Sequence, residues 1–558
     1  MAFQLSPGVL VTEKDLTSVV PSVATTAGGF AGAFQWGPVS EVVTVDSENQ
    51  LVERFGNPND TTYKSFFTAA NFLSYGNNLQ VIRVVNQATA RNAIANASAT
   101  AILIRNEDHY TSTYSDGSAS VGEWIAKYPG ALGNSLKVSM ADGNTYSGWA
   151  YSGQFDAQPT TSSYVSNQGG AHDEMHIIVV DEDGKWTGSQ GTVLEKFSYV
   201  SKAKDAKRPD GTSAYYKDVI NNESKYIWWV DHTADGTNWG STSQGITFAN
   251  LTANVTISMS LGVSADSPTD GNITSALATF ANDELYDISL LPLGEASTTV
   301  ANYAISSVAE IRKDCVVFIS PEMSDVVNNA GSEATAVTGF RDTLTSSSYA
   351  VMDSGWKYQY DRYNDVYRWV PLNGDTAGTA VRTDFVADPW FSPAGFNRGQ
   401  IKNVVKLAYS PSKTDRDTLY KKGVNPVVTF PGNGTALFGD KTLQAKPSAF
   451  DRINVRRLFI VLEKAIATAA KYQLFEFNDA FTRAQFRNLV EPFLREVQGR
   501  RGITEYKVVC DESNNTGEII DRNEFVADIF VKPARSINFI QLNFIATRTG
   551  ISFEEVGA

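Results

Sequence analysis

Between residues 273 and 346 the sequence reads ITSALATFAN (273–282), ELYDISLLPL (284–293), STTVANYAISSVAEIRKD (297–314), CVVFISP (315–321) and ATAVTGFRDTLTS (334–346). The first, third and fifth segments carry apolar residues at helical spacing. ELYDISLLPL and CVVFISP are short apolar runs of strand length. Strands alternating with helices of this length predict a sheet with helices packed on it.

Working outward, residues 26–86 repeat the theme. GGFAGAFQWGPVSEVVTV (28–45) reads as strand and loop, LVERFG (51–56) as a short helix or turn, YKSFFTAANFLSYG (63–76) as a helix and LQVIRVV (79–85) as a buried strand. On the other side, residues 349–370 add β segments and DTAGTAVRTDFVA (375–387) a helix. Between about 88 and 264 the composition shifts to Ser, Thr, Gly, Asn and Asp, and six of the ten tryptophans lie there. Asp-Gly turns recur at 116, 142, 183, 210 and 235. HIIVVDEDGKWTG reads as a hairpin around Asp183-Gly184. This stretch is expected to be a mostly β insertion.

The fold class expected is therefore a mixed α/β, α+β multidomain chain. Its parts are an arm over 1–25, an α/β core in two pieces (26–87 and 269–395), the insertion over 88–268, a C-terminal α+β domain over 396–523, and terminal strands with a tail over 524–558. A length of 558 residues supports several domains, because a single core stops growing near about 250–300 residues. The start of the chain, MAFQLSPGVLVTEKD, has neither a basic nor an apolar leader region. No apolar run approaches the ~18 residues of a membrane helix, so direct membrane insertion is not expected. Cys315 and Cys510 sit in strand-like runs and fit a reducing compartment.

The net charge of −14 is uneven: from Phe396 onward there are 24 Lys+Arg against 18 Asp+Glu, and before it 23 against 43. That gives +6 and −20. The asymmetry suggests a basic surface turned to an acidic partner. Its basic residues are interleaved with acids and lack aromatic stacking partners, which argues against nucleic acid.

The stretch DRINVRRLFIVLEKAIATAAKYQLFEFND (451–479) focuses that question. Val455, Leu458, Phe459, Leu462, Ile466 and Ala469 share one helix face, and Arg457, Lys464 and Lys471 share another. It can be a core helix with a solvated side, or a docking helix presenting its charged stripe.

Catalytic and metal chemistry find little to build on. His172-Asp-Glu-Met-His176 lacks the H-E-x-x-H order and precedes a strand-like IIVV, so a surface pair of histidines is expected. DEDG (181–184) misses the ligand spacing of a calcium loop. Gly434-TALF-Gly439-Asp440-Lys441-Thr442 approaches a phosphate loop, but Asp440 intrudes where the lysine is needed. No enzyme site, cofactor or metal is expected. An enzyme acting on surface glycans, using the Trp-rich insertion, is the remaining catalytic alternative.

YPGALGNSLKV (128–138), EKFSYVSKAKDAKRPDGTSAYYKDVINNESKYIWW (195–229), IRKDCVVFISP (311–321), ADPWFSPAGFNRG (387–399) and GVNPVVTFPGNGTALFGDKTL (423–443), followed by INVRRLFIVLEKAI, occur in this order. Together they resemble the tail sheath protein of contractile-tailed bacteriophages. The resemblance implies a virion protein, assembled in the host cytoplasm, that polymerises as stacked six-fold rings around a tail tube. Contraction of that polymer drives the tube through a cell envelope. The implied partners are further copies of the chain, the tube protein, and baseplate and tail terminator proteins. The implied tube-facing part is the C-terminal domain, with Arg457, Lys464 and Lys471 as candidates and Arg452 and Arg456 next. Terminal strands are exchanged between copies in this family. The candidates here are Val9 and Val11 in the arm, and Phe525, Ile529, Val531, Ile537, Phe539, Leu542 and Phe544 near the other end. A sheath of another contractile injection machine would carry nearly the same chemistry.

Overall fold

The computed structural model describes residues 23–117, 120–538 and 540–542. The chain folds as two compact units. The larger holds Val23–Asp388 and Pro393–Ile453; the smaller takes Pro389–Ser392 and the described residues from Asn454 onward. The boundary expected at Phe396 thus falls near Ile453. The reason is a strand of two residues, Val424–Asn425, which joins the sheet of the larger unit.

In chain order the strands of that sheet begin with β1 (Gly28–Gly32), β2 (Val42–Val45) and β3 (Leu79–Arg83). The insertion follows, with β4 (Leu136–Asp142), β5 (Glu174–Asp181), β6 (Thr192–Ser201) and β7 (Val255–Ser258). The sheet resumes with β8 (Leu290–Pro292), β9 (Val316–Ile319), β10 (Ala350–Asp353) and β11 (Val424–Asn425). Its spatial order is β11–β10–β9–β8–β1–β3–β2. Every neighbouring pair is parallel except β2 with β3. Parallel strands are buried on both faces, which accounts for apolar runs such as CVVFIS without alternation. Val316–Ile319 and Ala350–Asp353 are buried throughout.

Helix α1 (Tyr63–Leu73) buries almost its whole length, and α2 (Asn373–Val386) packs against it. The approach is close enough that a methyl group on Gly374 would overlap the Thr68 carbonyl, and one on Gly378 the Tyr75 ring. At the N-terminal end of α2 the Asn373 side chain donates to the Gly294 carbonyl (2.7 Å) and accepts from the Gly294 N–H (2.9 Å). Its amide also reaches the Ser320 hydroxyl. Helix α2 therefore occupies the loops that follow β8 and β9, at the carboxyl ends of the strands, where open α/β sheets hold their ligands.

The insertion is an antiparallel sheet in the order β6–β5–β4–β7. A second pair, Trp124–Ala126 with Ile227–Trp229, puts Trp124 and Trp229 into the core of that sheet and Trp228 into a separate cluster. β5 and β6 form the expected hairpin, but across a longer connection than a two-residue turn, with Gly184 at φ +75°. The entering and leaving segments run side by side, bridging at Arg91 with Val263 and at Ile94 with Ser260. Arg83 at the end of β3 fastens this junction. Its buried guanidinium donates to the carbonyls of Phe34, Gln35 and Gly37 in the core and of Pro129 in the insertion, at 2.8–3.1 Å. With no carboxylate in that set, burial pushes it down to about 9.

In the smaller unit, helices α4 (Ile453–Ala470) and α5 (Ala480–Gly499) precede strands β12 (Ile503–Val509) and β13 (Asp528–Pro533). The two strands pair antiparallel, Tyr506 opposite Val531 and Val508 opposite Ile529, and α5 packs against β12. Trp390, contributed by the short excursion at 389–392, is buried here. Its indole N–H donates to the Arg500 carbonyl (3.1 Å), and the Arg500 guanidinium lies 5.5 Å from the ring.

Candidate functional site

The residues suggestive of chemistry are engaged in structure. His176 is fully buried rather than on the surface: its ring stacks on Phe155 at 4.2 Å. Its Nδ1 accepts from the Tyr199 N–H (3.1 Å) and its Nε2 meets the Ala157 carbonyl (2.9 Å). Both ring nitrogens are used by a neutral imidazole, and burial lowers its pKa. His172 is exposed at φ +62°. Lys441 of the near-phosphate loop directs its ammonium to the Tyr420 carbonyl (2.8 Å), and the loop itself begins as a hairpin, Val427–Phe430 with Gly434–Leu437. Asp440 is buried beside Arg452 and the Tyr420 hydroxyl.

Behind α2 lies a buried polar group. The Lys357 ammonium sits 2.8 Å from Asp375, both side chains wholly inaccessible, and the Tyr75 hydroxyl donates to the same carboxylate at 3.1 Å. Burial raises Asp375 and lowers Lys357. Close in sequence, Asp353 is also buried, accepting from the Ser320 hydroxyl (2.7 Å) and the Gly355 N–H (2.9 Å), and burial pushes it up to about 8. These groups lie under a helix that leaves the strand ends covered, and they act as fasteners of α2.

The remaining candidates lie in the C-terminal part of the chain. The basic stripe on α4 is not a uniform exposed face. Arg456 and Arg457 are buried at 6% and 4%, because the first turns of α4 are enclosed on nearly every side. Lys464 is half-buried and Lys471 exposed. Arg452 belongs to the larger unit, where its guanidinium donates to the Tyr420 hydroxyl at 2.7 Å. The basic excess itself is displaced. Residues 396–453 hold 10 Lys+Arg against 4 Asp+Glu, whereas residues 454–558 hold 14 of each. The +6 thus belongs to the segment that completes the larger unit, and the C-terminal unit is charge-balanced.

Of the strand candidates, Ile529 and Val531 lie half-buried on β13, paired within the chain to β12. Phe525 precedes that strand and meets Phe486 of α5 edge-on at 5.4 Å. Ile537 and Leu542 are exposed. Val9, Val11, Phe539 and Phe544 lie outside the described residues. Among the described residues, β12 and β13 pair only with each other, which leaves an edge on each. Sequence reading did not single out the aromatic residues at the connection of α4 and α5, where Tyr472, Leu474, Phe475 and Phe477, with Phe481 in the first turn of α5, are all exposed. The run of aromatics in KYQLFEFNDAF was the available signal.

Three family models match the chain: a tail sheath protein Gp18 domain III N-terminal region over 26–84, a phage tail sheath protein central domain over 266–443, and a phage tail sheath C-terminal domain over 445–547. The tail sheath protein of Vibrio phage KVP40 is 37% identical, and that of Enterobacteria phage T4 is 33% identical, each alignment covering 99% of both chains. Among solved structures, the sheath tail protein of Desulfitobacterium hafniense shares the fold at a TM-score of 0.55, with 11% identity over 94% of this chain and 100% of that one. The anti-feeding prophage helical sheath in its contracted state does so at 0.52, with 13% identity over 98% and 100%.

Proposed function

Because the chain belongs to the phage tail sheath protein family, we propose that it is the subunit of a helical polymer of stacked six-fold rings that surrounds a tail tube, and that contraction of this polymer drives the tube through the host envelope. It is a structural protein of the virion tail, and assembly takes place in the host cytoplasm. Its partners are its own copies, the tube protein, and the baseplate and tail terminator proteins at the two ends; neither nucleic acid nor the membrane interior is among them.

The observation that carries this reading is the β12–β13 pair, which among the described residues is a two-stranded sheet with an open edge on each side. An isolated pair of strands is marginal in water, and open edges accept further strands by main-chain hydrogen bonding. Residues 1–20 and the segment after Pro533 are apolar sequences of the right length to supply them. At about 0.5–1.5 kcal/mol net per hydrogen bond, a strand of four to six bonds holds while weaker contacts rearrange. Contacts that do not close on themselves then propagate a helix.

Deleting residues 1–20 tests this: soluble monomers are expected by sedimentation and electron microscopy, and long sheaths from the truncated chain would sink the idea. Tube attachment falls to Lys464 and Lys471, the accessible members of the stripe. Exposed ion pairs contribute about 0–1 kcal/mol each, so hundreds of copies hold firmly while each releases readily. Reversing both to Glu is expected to cut co-sedimentation with preformed tubes several-fold; undiminished binding refutes the assignment.

A further inference from the structure

The turn joining α4 to α5 turns its large side chains outward. Tyr472, Leu474, Phe475, Phe477 and Phe481 are 75%, 63%, 105%, 84% and 76% exposed. At 150–250 Å² per aromatic side chain, the stretch offers about 700 Å² of apolar surface. Soluble monomers rarely expose more than a few hundred Å² in one patch, and a stable interface takes about 800 Å² from each partner.

The turn is held in place while its rings point away from the chain. Phe475 sits at φ +70°, a left-handed backbone that a bulky residue keeps only when its surroundings enforce it. Asn478 does so by donating to Asn515 (3.3 Å) and to the Glu524 carbonyl (2.8 Å) while accepting from Arg483 (3.0 Å). Asp479 caps α5 through the Thr482 N–H at 2.8 Å. The rings are thus presented by an ordered support.

We propose that this aromatic turn is a permanent copy-to-copy contact, its occupant a second molecule of the same chain. Charge does not select the partner: Lys471 is offset by Glu476 and Asp479, and residues 454–558 are balanced. Apolar area of this size belongs to lasting homomeric interfaces, whereas contacts that form and release are more polar. Resting on the sheath reading above, the copies must stay joined through contraction while the tube contact lets go. The apolar turn suits the former, and the half-buried Lys464 and exposed Lys471 suit the latter.

The test is the full-length F475S/F477S variant, with Phe475→Lys as a second variant. At such exposure neither disturbs the fold, which an unchanged urea midpoint verifies. The expected result is at least a tenfold loss of pelletable helical polymer, with monomers in the supernatant, beside a wild-type chain that polymerises. Wild-type-like polymers that no longer retain preformed tubes would overturn the proposal and hand the turn to the tube. Polymers unchanged in both respects would also overturn it. A wild-type chain that forms no helical polymer would instead defeat the sheath reading, and this contact with it.

Discussion

The two units treat the same kinds of side chain in opposite ways. In the larger, rings such as Trp124, Trp228 and Trp356 and even the charges of Arg83, Lys202, Lys357 and Asp375 are enclosed. In the smaller, about 100 residues carry a two-stranded sheet and a row of phenylalanines facing outward. The larger unit pairs its buried charges internally, Lys202 with Asp142 and Lys357 with Asp375. Among the described residues, the smaller unit leaves sheet edges unpaired and apolar rings exposed. A polymer subunit that must keep its shape while its contacts are remade divides labour in this manner.

The comparison breaks most visibly if the larger unit loses one of its internal pairs. Replacing Asp375 with Ala strands the Lys357 ammonium in the interior, and such a loss costs about 3–5 kcal/mol. The urea midpoint of the larger unit should fall accordingly, with α5 and the β12–β13 hairpin keeping their hydrogen-exchange protection. Equal loss of protection in both units would mean that they do not fold separately.

Acidity should sharpen the contrast. Asp353 is held at about 8 in the fold against 3.8 outside it, so the folded state binds the extra proton between those values. Its contribution to the stability of the core sheet is therefore fullest below pH 4 and declines as pH rises toward 8, at about 1.4 kcal/mol per pH unit. His176 has the reverse sign. Its pKa is lowered in the fold, so protonation favours the open form, and the insertion loosens as pH falls below 6.5. The Tyr199 amide, bonded to the His176 ring, should lose exchange protection between pH 7 and 5 while amides of β9 and β10 gain it. In the smaller unit Asp479, Glu505 and Asp511 are exposed and lowered by hydrogen bonds, so they remain charged across this range. Its protection should hold constant from pH 5 to 8, and parallel changes in both units would contradict the assignment.

The smallest effect expected is on the monomer carrying Phe475→Ser. A ring open to solvent contributes little to folding, and the midpoint should move by less than about 0.5 kcal/mol. A drop of several kcal/mol would show the turn to be part of the unit's own core.

The α/β core was legible because strand and helix alternate at lengths that differ in period, as in CVVFISP against STTVANYAISSVAEIRKD. The end of that core was not. Val424–Asn425 is too short to show any pattern, yet it adds an edge strand and carries residues 396–453 with it. The same displacement misled the charge argument, since a count along the chain assigns a basic excess to whichever domain the boundary awards it. Spacing placed Arg457, Lys464 and Lys471 on one helix face; α4 holds the first two, and Lys471 follows it in a 3-10 turn. It gave no information about what covers that face at Arg457 and leaves it open at Lys471. His176 escaped for a similar reason: a strand residue of either polarity can face inward when both ring nitrogens find partners. The aromatic turn was written in the sequence, but apolar spacing does not say whether such rings are covered.

Trp390 gives the smaller unit an optical label of its own. The other nine tryptophans lie in the larger unit, and residues 454–558 contain none. Its indole is bonded to the Arg500 carbonyl beside a guanidinium, so its emission is tied to the packing of α5. Subtracting the spectrum of a Trp390→Phe chain from that of the parent isolates one fluorophore in a protein of this size. Changes in the packing of α5 could then be timed from the light of a single residue.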